Sequence, residues 1–419
     1  MPNATGIYTK ATVDRYYADK GVRSDSFQFH TVDYNYVLKL LQNTNGNKGT
    51  GLDNLPAKFV KDGATSIVKP VTHIVNLSIS SGEIPCDLKN ARVVPLYKKN
   101  SRTEAGNYRP VSILPVISKI LERVIFDQLE LYLKQNNLTY QFQSGFRPSF
   151  STDTCLIYLT DYIKREMSLG RYTGMVLLDL QKAFDTVDHT ILKNKLSSIG
   201  LCNSAIDWFD SYLSNRHQCV NVNGVTSSAL EISCGVPQGS LLGPLLFLIY
   251  VNDMECAVNC KLLLYADDSA LLVSHKDVKV IEQNLSIELN SLSHWLVDNK
   301  LSLHLGKTEA ILFGTKKKLR KCSALNISCN GHKIQSKSSV NYLGLELEQS
   351  LNGDVTGKSV INKSASRLKF LYRQSQFLPS RLRKMLCMSL IQCHFDYSCS
   401  TWYSSSSQKV KNKLQTCQN

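Results

Sequence analysis

The thirteen cysteines of this 419-residue chain form no CxxC pair. Cys256 with Cys260, and Cys393 with Cys399, are spaced poorly for a zinc site and belong to no compact Cys/His cluster, which excludes the usual zinc modules. Such cysteines are expected to be small buried hydrophobes of a reducing compartment. No segment holds the about eighteen uninterrupted apolar residues of a membrane span. The N-terminus MPNATGIYTKATVDRYYADK also lacks the apolar core of a secretory signal. The expectation is an intracellular protein, nuclear, cytoplasmic or both, with no membrane partner. Asn3-Ala4-Thr5 fits a glycosylation sequon, which means nothing without secretion. No long stretch has a disordered composition, and 43% hydrophobic residues suffice for the cores of roughly two to three domains.

Acidic residues are scarce. Forty-nine Lys and Arg face thirty-four Asp and Glu, a formal charge of +15 that favours a polyanionic partner over an acidic one. Val355 to Phe395 contains no acidic residue, while Lys358, Lys363, Arg367, Lys369, Arg373, Arg381, Arg383 and Lys384 recur along helical patterns. That stripe suits phosphate contacts that position a duplex without reading its sequence; the alternative is a solvated helix face. The run KKKLRK at 316–321 is either a nuclear localisation signal or a solvated loop between strands.

The most informative acids are paired. In KLLLYADDSALLV (261–273), Asp267 and Asp268 interrupt an apolar run, which reads as a β-hairpin with both carboxylates at its tip. Clustered like charges are costly without cations, so the site asks for metal, although a tight turn also uses Asp for backbone reasons. A second apolar run, Met175 to Leu178 in GMVLLDLQKAFDTVDH, delivers Asp179 at a strand end and Phe184 five positions later. Three carboxylates suit two divalent ions and in-line phosphoryl displacement, and hard oxygen donors suit Mg2+. Between them, SCGVPQGSLLGPLLFLIYVNDM (233–254) places turn-forming residues before an apolar helix that Ser240 is expected to cap.

The middle of the chain reads as strand (175–180), helix (240–252), strand (261–266), strand (269–273), helix (277–299) and strand (307–313). This β-α-β-β-α-β order predicts a ferredoxin-like sheet with helices on one face, Asp179 lying beside Asp267 on adjacent central strands. Between Phe184 and Gly235 it predicts two helical stretches and a hairpin in HQCVNVNGV.

The order of these motifs resembles the reverse transcriptases of non-LTR (LINE-type) retrotransposons, most closely the jockey-like group. GTGLDNLPAKFVKDGA (49–64), SSGEIPCDLKNARVVPLYKKN (80–100), NYRPVSILPVISKILERVI (107–125) and QFQSGFRPSFST (141–152) look like the family's fingers blocks. They precede the aspartate strand, GVPQGS, YADD, NKLSLHLGKTEAILFG (299–314) and NYLGLELE (341–348) in the family's order. The resemblance implies an α+β right-hand polymerase. Residues 1–90 would be an N-terminal extension and first fingers block, 91–170 fingers, 171–348 palm and 349–419 a partial helical thumb. No endonuclease domain and no zinc knuckle is legible, so an endonuclease in trans is an expected partner.

The implied reaction is RNA-directed DNA synthesis, with an RNA template, a DNA primer, deoxynucleoside triphosphates and two Mg2+ ions, for which Mn2+ can substitute. Asp179, Asp267 and Asp268 would be metal ligands together with the carbonyl of Leu180. Lys98, Arg109 and Arg147 would grip the triphosphate, residue types suited to phosphate. Phe184 would exclude a 2′-hydroxyl unless it is a core aromatic, Gln238 and Gly239 would meet nucleotide and template, and Tyr342, Leu343 and Gly344 would form the primer grip. Lys307 in GKTE would act as general acid to pyrophosphate, an ordinary strand lysine being the alternative. Asp185, Asp188 and His189 read instead as a helix start in which Asp caps free amides, and Trp208 and Trp295 as core. Phe150 stands where relatives often have a basic residue. The competing reading is a catalytically inactive nucleic-acid-binding remnant; an RNA-making polymerase is argued against by Phe184.

Overall fold

The structure, a computed structural model, describes residues 9–418. The Asn3-Ala4-Thr5 match lies outside the described residues. The chain forms two compact units that interleave along the sequence. The first comprises the described residues up to Gln141, Gln181–Ala257 and His294–Ser302; the second comprises Phe142–Leu180, Val258–Ser293 and the described residues from Leu303 onward.

Among the described residues fourteen strands follow one another. The first six are β1 Ala91–Tyr97, β2 Tyr108–Ile113, β3 Tyr172–Asp179, β4 Arg216–Val222, β5 Val225–Thr226 and β6 Leu230–Ile232. Next come β7 Lys261–Tyr265, β8 Asp268–His275, β9 Glu309–Phe313, β10 Ser328–Cys329 and β11 His332–Lys333. The last are β12 Gln335–Lys337, β13 Ser339–Tyr342 and β14 Leu345–Glu348.

In the first unit, β1 and β2 form an antiparallel hairpin, β4 runs parallel to β1, and β5 and β6 pair with β4. HQCVNVNGV is a hairpin: Asn223 and Gly224 both have positive φ, 51° and 84°, as two-residue turns matched to strand twist require. The two expected helical stretches are His189–Ser198 and Asn203–Leu213. The second of these buries Trp208 and Tyr212, stacked at 5.6 Å, which makes Trp208 core. Trp295 is equally buried, its indole N–H donating to Asp253 at 3.3 Å.

Glu122, 1% exposed, accepts hydrogen bonds from the Tyr212 hydroxyl (2.7 Å) and the Leu241 amide (2.8 Å). Burial raises its pKa, opposed by those two bonds and by Arg216 and Lys119. The folded state therefore keeps this proton to higher pH than the unfolded chain does. Its stability contribution is complete below the unfolded value and is lost as pH rises through the folded one. We expect Glu122→Gln to flatten that decline in thermal melts run upward from about pH 4. Parallel profiles for parent and variant would assign the slope to other groups.

The second unit is built on a sheet ordered β12-β9-β3-β8-β7, in which each neighbouring pair from β9 to β7 is antiparallel and β12 joins β9 in parallel. β3 is buried along Thr173–Leu178 without alternation, the pattern of a strand covered on both faces. Met175 and Leu177 pack with Cys155, Leu156, Leu159 and Ile163 of the helix Thr152–Ser168. On the opposite face, a Cβ at Gly174 would come within 2.3 Å of Ile281 in the helix Val278–Asp298. The expectation of helices on one face is thereby corrected: a run apolar at every position needs two covers.

Two further expectations change. All thirteen cysteines are free, yet only Cys155 and Cys329 are buried, so most are surface or half-buried thiols rather than core hydrophobes. KKKLRK begins as a short helix, Lys316–Leu319, rather than a loop between strands. Among the described residues no helix is long and apolar enough to cross a membrane.

Candidate active site

β3 ends on Asp179, and its antiparallel register with β8 sets Asp268 directly opposite. β7 and β8 close on the pair Tyr265 and Asp268, leaving Ala266 and Asp267 as a two-residue turn. Ala266 has φ +57°, a left-handed conformation that a non-glycine residue adopts only when its surroundings impose it. The expected neighbour of Asp179 is thus corrected by one position: Asp268 faces it across the strands, and Asp267 occupies the turn. Antiparallel pairing alternates sides residue by residue, so local sequence cannot choose between adjacent aspartates. Asp267 and Asp268 are exposed, Asp179 half-buried.

An open cleft of about 450 Å3 borders this strand end, lined by Asp179, Asp268, Lys307, Glu309, Lys337 and Gly344 among others. Lys307 Nζ lies 3.2 Å from Asp179 Oδ2, and Lys337 Nζ lies 2.5 Å from Glu309 Oε1. Lys337 escapes sequence reasoning because β12 reaches the cleft only by pairing with β9, a contact no local pattern announces, and the same pairing is what gives Glu309 its lysine partner. Leu180 is buried and bridges to Leu303, while the Asp179 carbonyl accepts from the His304 amide at 2.8 Å.

Tyr342 ends β13, and Leu343 and Gly344 form the turn into β14. Tyr342 pairs with Leu345, and the two intervening residues have φ +49° and +82°, which accounts for glycine at the second. Tyr342 is buried, and burial pushes its phenol pKa upward. The Tyr397 hydroxyl donates to the Leu343 carbonyl.

The segment containing QFQSGFRPSF runs beside β7: the Ser144 amide donates to the Leu264 carbonyl (2.8 Å), and the Leu264 amide to the Phe142 carbonyl (3.0 Å). Arg147 donates to the Gln143 carbonyl at 2.9 Å and sets its guanidinium 4.3 Å from the Phe150 ring centre. Burial lowers the Arg147 pKa.

The remaining candidates belong to the first unit. Lys98 follows β1, its amide bonded to the Asn107 carbonyl, and Arg109 on β2 pairs with Leu96; both cations are exposed. Phe184 stacks on Phe247 at 4.5 Å, and its carbonyl accepts from the Val236 amide. The Gln238 side-chain amide donates to Asp185 Oδ1 at 2.8 Å, and the Gln238 carbonyl accepts from Ser112 at 2.6 Å. Gly239 has φ +122°, and a Cβ there would meet the Ser112 oxygen at 2.3 Å, so only glycine lets the loop lie on β2.

Asp185 is therefore corrected from a helix cap to the partner of Gln238. Asp188 is the cap, accepting from Ile191 at 2.9 Å and pairing with Lys300, and His189 Nε2 bonds the Gly235 carbonyl. The Ser240 hydroxyl oxygen accepts from the Gly243 amide at 2.8 Å, while Leu241 holds the N-cap position of the helix Leu242–Val251, so Ser240 bonds the helix start from one residue ahead of the expected cap.

Asp179, Asp267 and Asp268 offer carboxylate oxygens, the donors that Mg2+ and Mn2+ take. Among the described residues no three His, Cys, Asp or Glu side chains converge tightly enough to enclose an ion by themselves. The fit lies in the chemistry of the donors and in the opposition of Asp179 to Asp268.

Residues 97–347 match the family described as reverse transcriptase (RNA-dependent DNA polymerase), and the chain belongs to that family. It is 28% identical over 309 residues to the RNA-directed DNA polymerase from mobile element jockey of Drosophila melanogaster, covering 72% of this chain and 33% of that protein. The jockey protein of Drosophila funebris is also 28% identical, over 75% of this chain and 35% of its own length. The probable RNA-directed DNA polymerase from transposon BS of Drosophila melanogaster is 27% identical over 91% of this chain and 43% of that protein. The chain thus spans about a third to two fifths of these relatives, and the resemblance carried by its motifs is borne out.

Proposed function

We propose that this chain is the polymerase core of a non-LTR retrotransposon reverse transcriptase, extending a DNA primer on an RNA template with deoxynucleoside triphosphates. The observation that carries the proposal is the opposition of Asp179 and Asp268 at the mouth of a cleft that also presents Lys307. In this reading the β9-β3-β8-β7 sheet is a ferredoxin-like palm, the β1–β2 hairpin belongs to the fingers, and the helices from Asp354 onward form the thumb.

Asp179, Asp267, Asp268 and the Leu180 carbonyl would hold two Mg2+ ions. When bound, Mg2+ supplies the positive charge that favours ionisation of the primer 3′-hydroxyl and offsets charge on the triphosphate. Lys98, Arg109 and Arg147 bind phosphate oxygens, and Lys307 holds the proton that the leaving pyrophosphate takes up. Phe184, its ring packed on Phe247, blocks a 2′-hydroxyl. Gln238, oriented by Asp185, and Gly239 meet the nucleotide and template. Tyr342, Leu343 and Gly344 support the primer terminus. The acid-free stretch 355–395 supplies phosphate contacts along the hybrid, and an endonuclease acting in trans is a compatible partner.

The experiment is Mg2+-dependent extension of a DNA primer annealed to RNA, comparing this chain with its Asp267→Asn, Asp268→Asn double variant. Synthesis by the parent alone is expected. Equal hybrid binding by both without synthesis would reduce the chain to a nucleic-acid-binding remnant.

A further inference from the structure

The aspartate hairpin is held by a side chain outside its own strands. Gln143, 2% exposed, turns its Oε1 toward two backbone amides, Gly145 at 2.8 Å and Ala266 at 3.0 Å. Both partners are N–H donors, so they require the oxygen of the side-chain amide and settle its orientation. The Nε2 has no hydrogen-bond partner among the described residues. A buried donor left unpaired is costly, which argues that the group is retained for what its oxygen does.

What the oxygen does is specific. Ala266 is the left-handed residue immediately before Asp267 and Asp268, and its amide is held by the same oxygen that organises the QSG segment. The segment leaves no slack: Gln143 bridges to Leu264, and a Cβ at Gly145 would stand 2.3 Å from the Ala266 nitrogen. A fixed amide at Ala266 sets the turn geometry, and the turn sets where the next two carboxylates lie.

We propose that Gln143 is a positioning residue for the aspartate hairpin, with Gly145 as the close-packed support that lets it reach. The proposal rests on the polymerase reading, because the positioned carboxylates are those assigned to divalent cations. Gln143 acts through the Ala266 amide that its oxygen holds.

The test measures Mn2+ binding by the loss of the free-ion EPR signal, together with kcat, KM for the deoxynucleotide and thermal melting. The proteins are the parent, Gln143→Met, Gln143→Glu, Gly145→Ala and Asp268→Asn. Gln143→Met is expected to weaken Mn2+ binding about tenfold, the equivalent of one net hydrogen bond, and to lower kcat while KM stays within about twofold. Gln143→Glu, which keeps an oxygen facing both amides, is expected to recover most of that loss. Gly145→Ala, which pushes on the turn with Gln143 intact, is expected to reproduce it, and it carries the test with Gln143→Glu should Gln143→Met fail to fold. Gln143→Met and Gly145→Ala variants that bind Mn2+ and turn over like the parent overturn the proposal, as does a lower melting temperature with unchanged binding and kcat. In those cases weaker binding by Asp268→Asn leaves the polymerase reading standing. A parent that neither binds Mn2+ nor extends a primer overturns both.

Discussion

Asp179→Asn is expected to lower single-nucleotide incorporation by about a thousandfold, because several kcal/mol of charge stabilisation leave the transition state with the carboxylate. The change is nearly isosteric, and the side chain is 40% exposed at a strand end with Lys307 at 3.2 Å. An amide oxygen can still accept from Lys307, so the local fold has little reason to shift. Melting is expected to move by no more than about 2 °C, as for most exposed substitutions. Chemistry and stability thus separate, and quenched-flow incorporation beside a thermal melt reads both. Incorporation within a few-fold of the parent would remove Asp179 from the reaction and leave it a strand-end residue.

The second large effect concerns stability. Lys195 and Asp253 are only 2% and 3% exposed at their side chains, with Nζ 2.5 Å from Oδ1. Nζ also donates to the Tyr250 carbonyl at 2.5 Å and lies 4.7 Å from the Trp295 ring centre, while Asp253 Oδ2 accepts from the Trp295 indole. Burial lowers the Lys195 pKa, and Asp253 opposes that shift. Asp253→Ala would leave an ammonium group without its counter-charge and an indole N–H without its acceptor. A loss on the order of 3–5 kcal/mol is expected, seen as a melting temperature lower by about 10 °C. The double variant Lys195→Met, Asp253→Leu is expected to regain much of this, since breaking a buried pair costs more than replacing it with apolar side chains. A full loss in the double variant would show instead that packing around Tyr250 and Trp295, not the unpaired charge, is what the site depends on.

What could be read in advance was local. The YADD run is apolar on both sides of a short polar break, which suffices for β7, a turn and β8. NVNG carries its turn in the backbone freedom of Asn223 and Gly224, and NYLG in that of Gly344, with Leu343 also at positive φ. Asp188 and Ser240 accept the helix-start amides that Asp and Ser commonly accept.

Contacts between distant segments were not legible. Lys337 reaches the cleft only through parallel pairing of β12 with β9. Asp185 looked like one more capping aspartate until the GVPQGS loop brought Gln238 to it. Gln143, in the segment QFQSGFRPSF, had no pattern to distinguish it from a solvated glutamine.

The sequence by itself determined the family, the aspartates and the order of the elements carrying them, because motif content and periodicity are properties of neighbouring residues. Only the tertiary structure decided that Asp268 rather than Asp267 faces Asp179, that β3 is covered on both faces, and that Gln143 clamps the turn. Each of these depends on register and close approach between segments far apart in the chain. A shift of one residue reverses which side chain faces the site, and no local propensity specifies that shift.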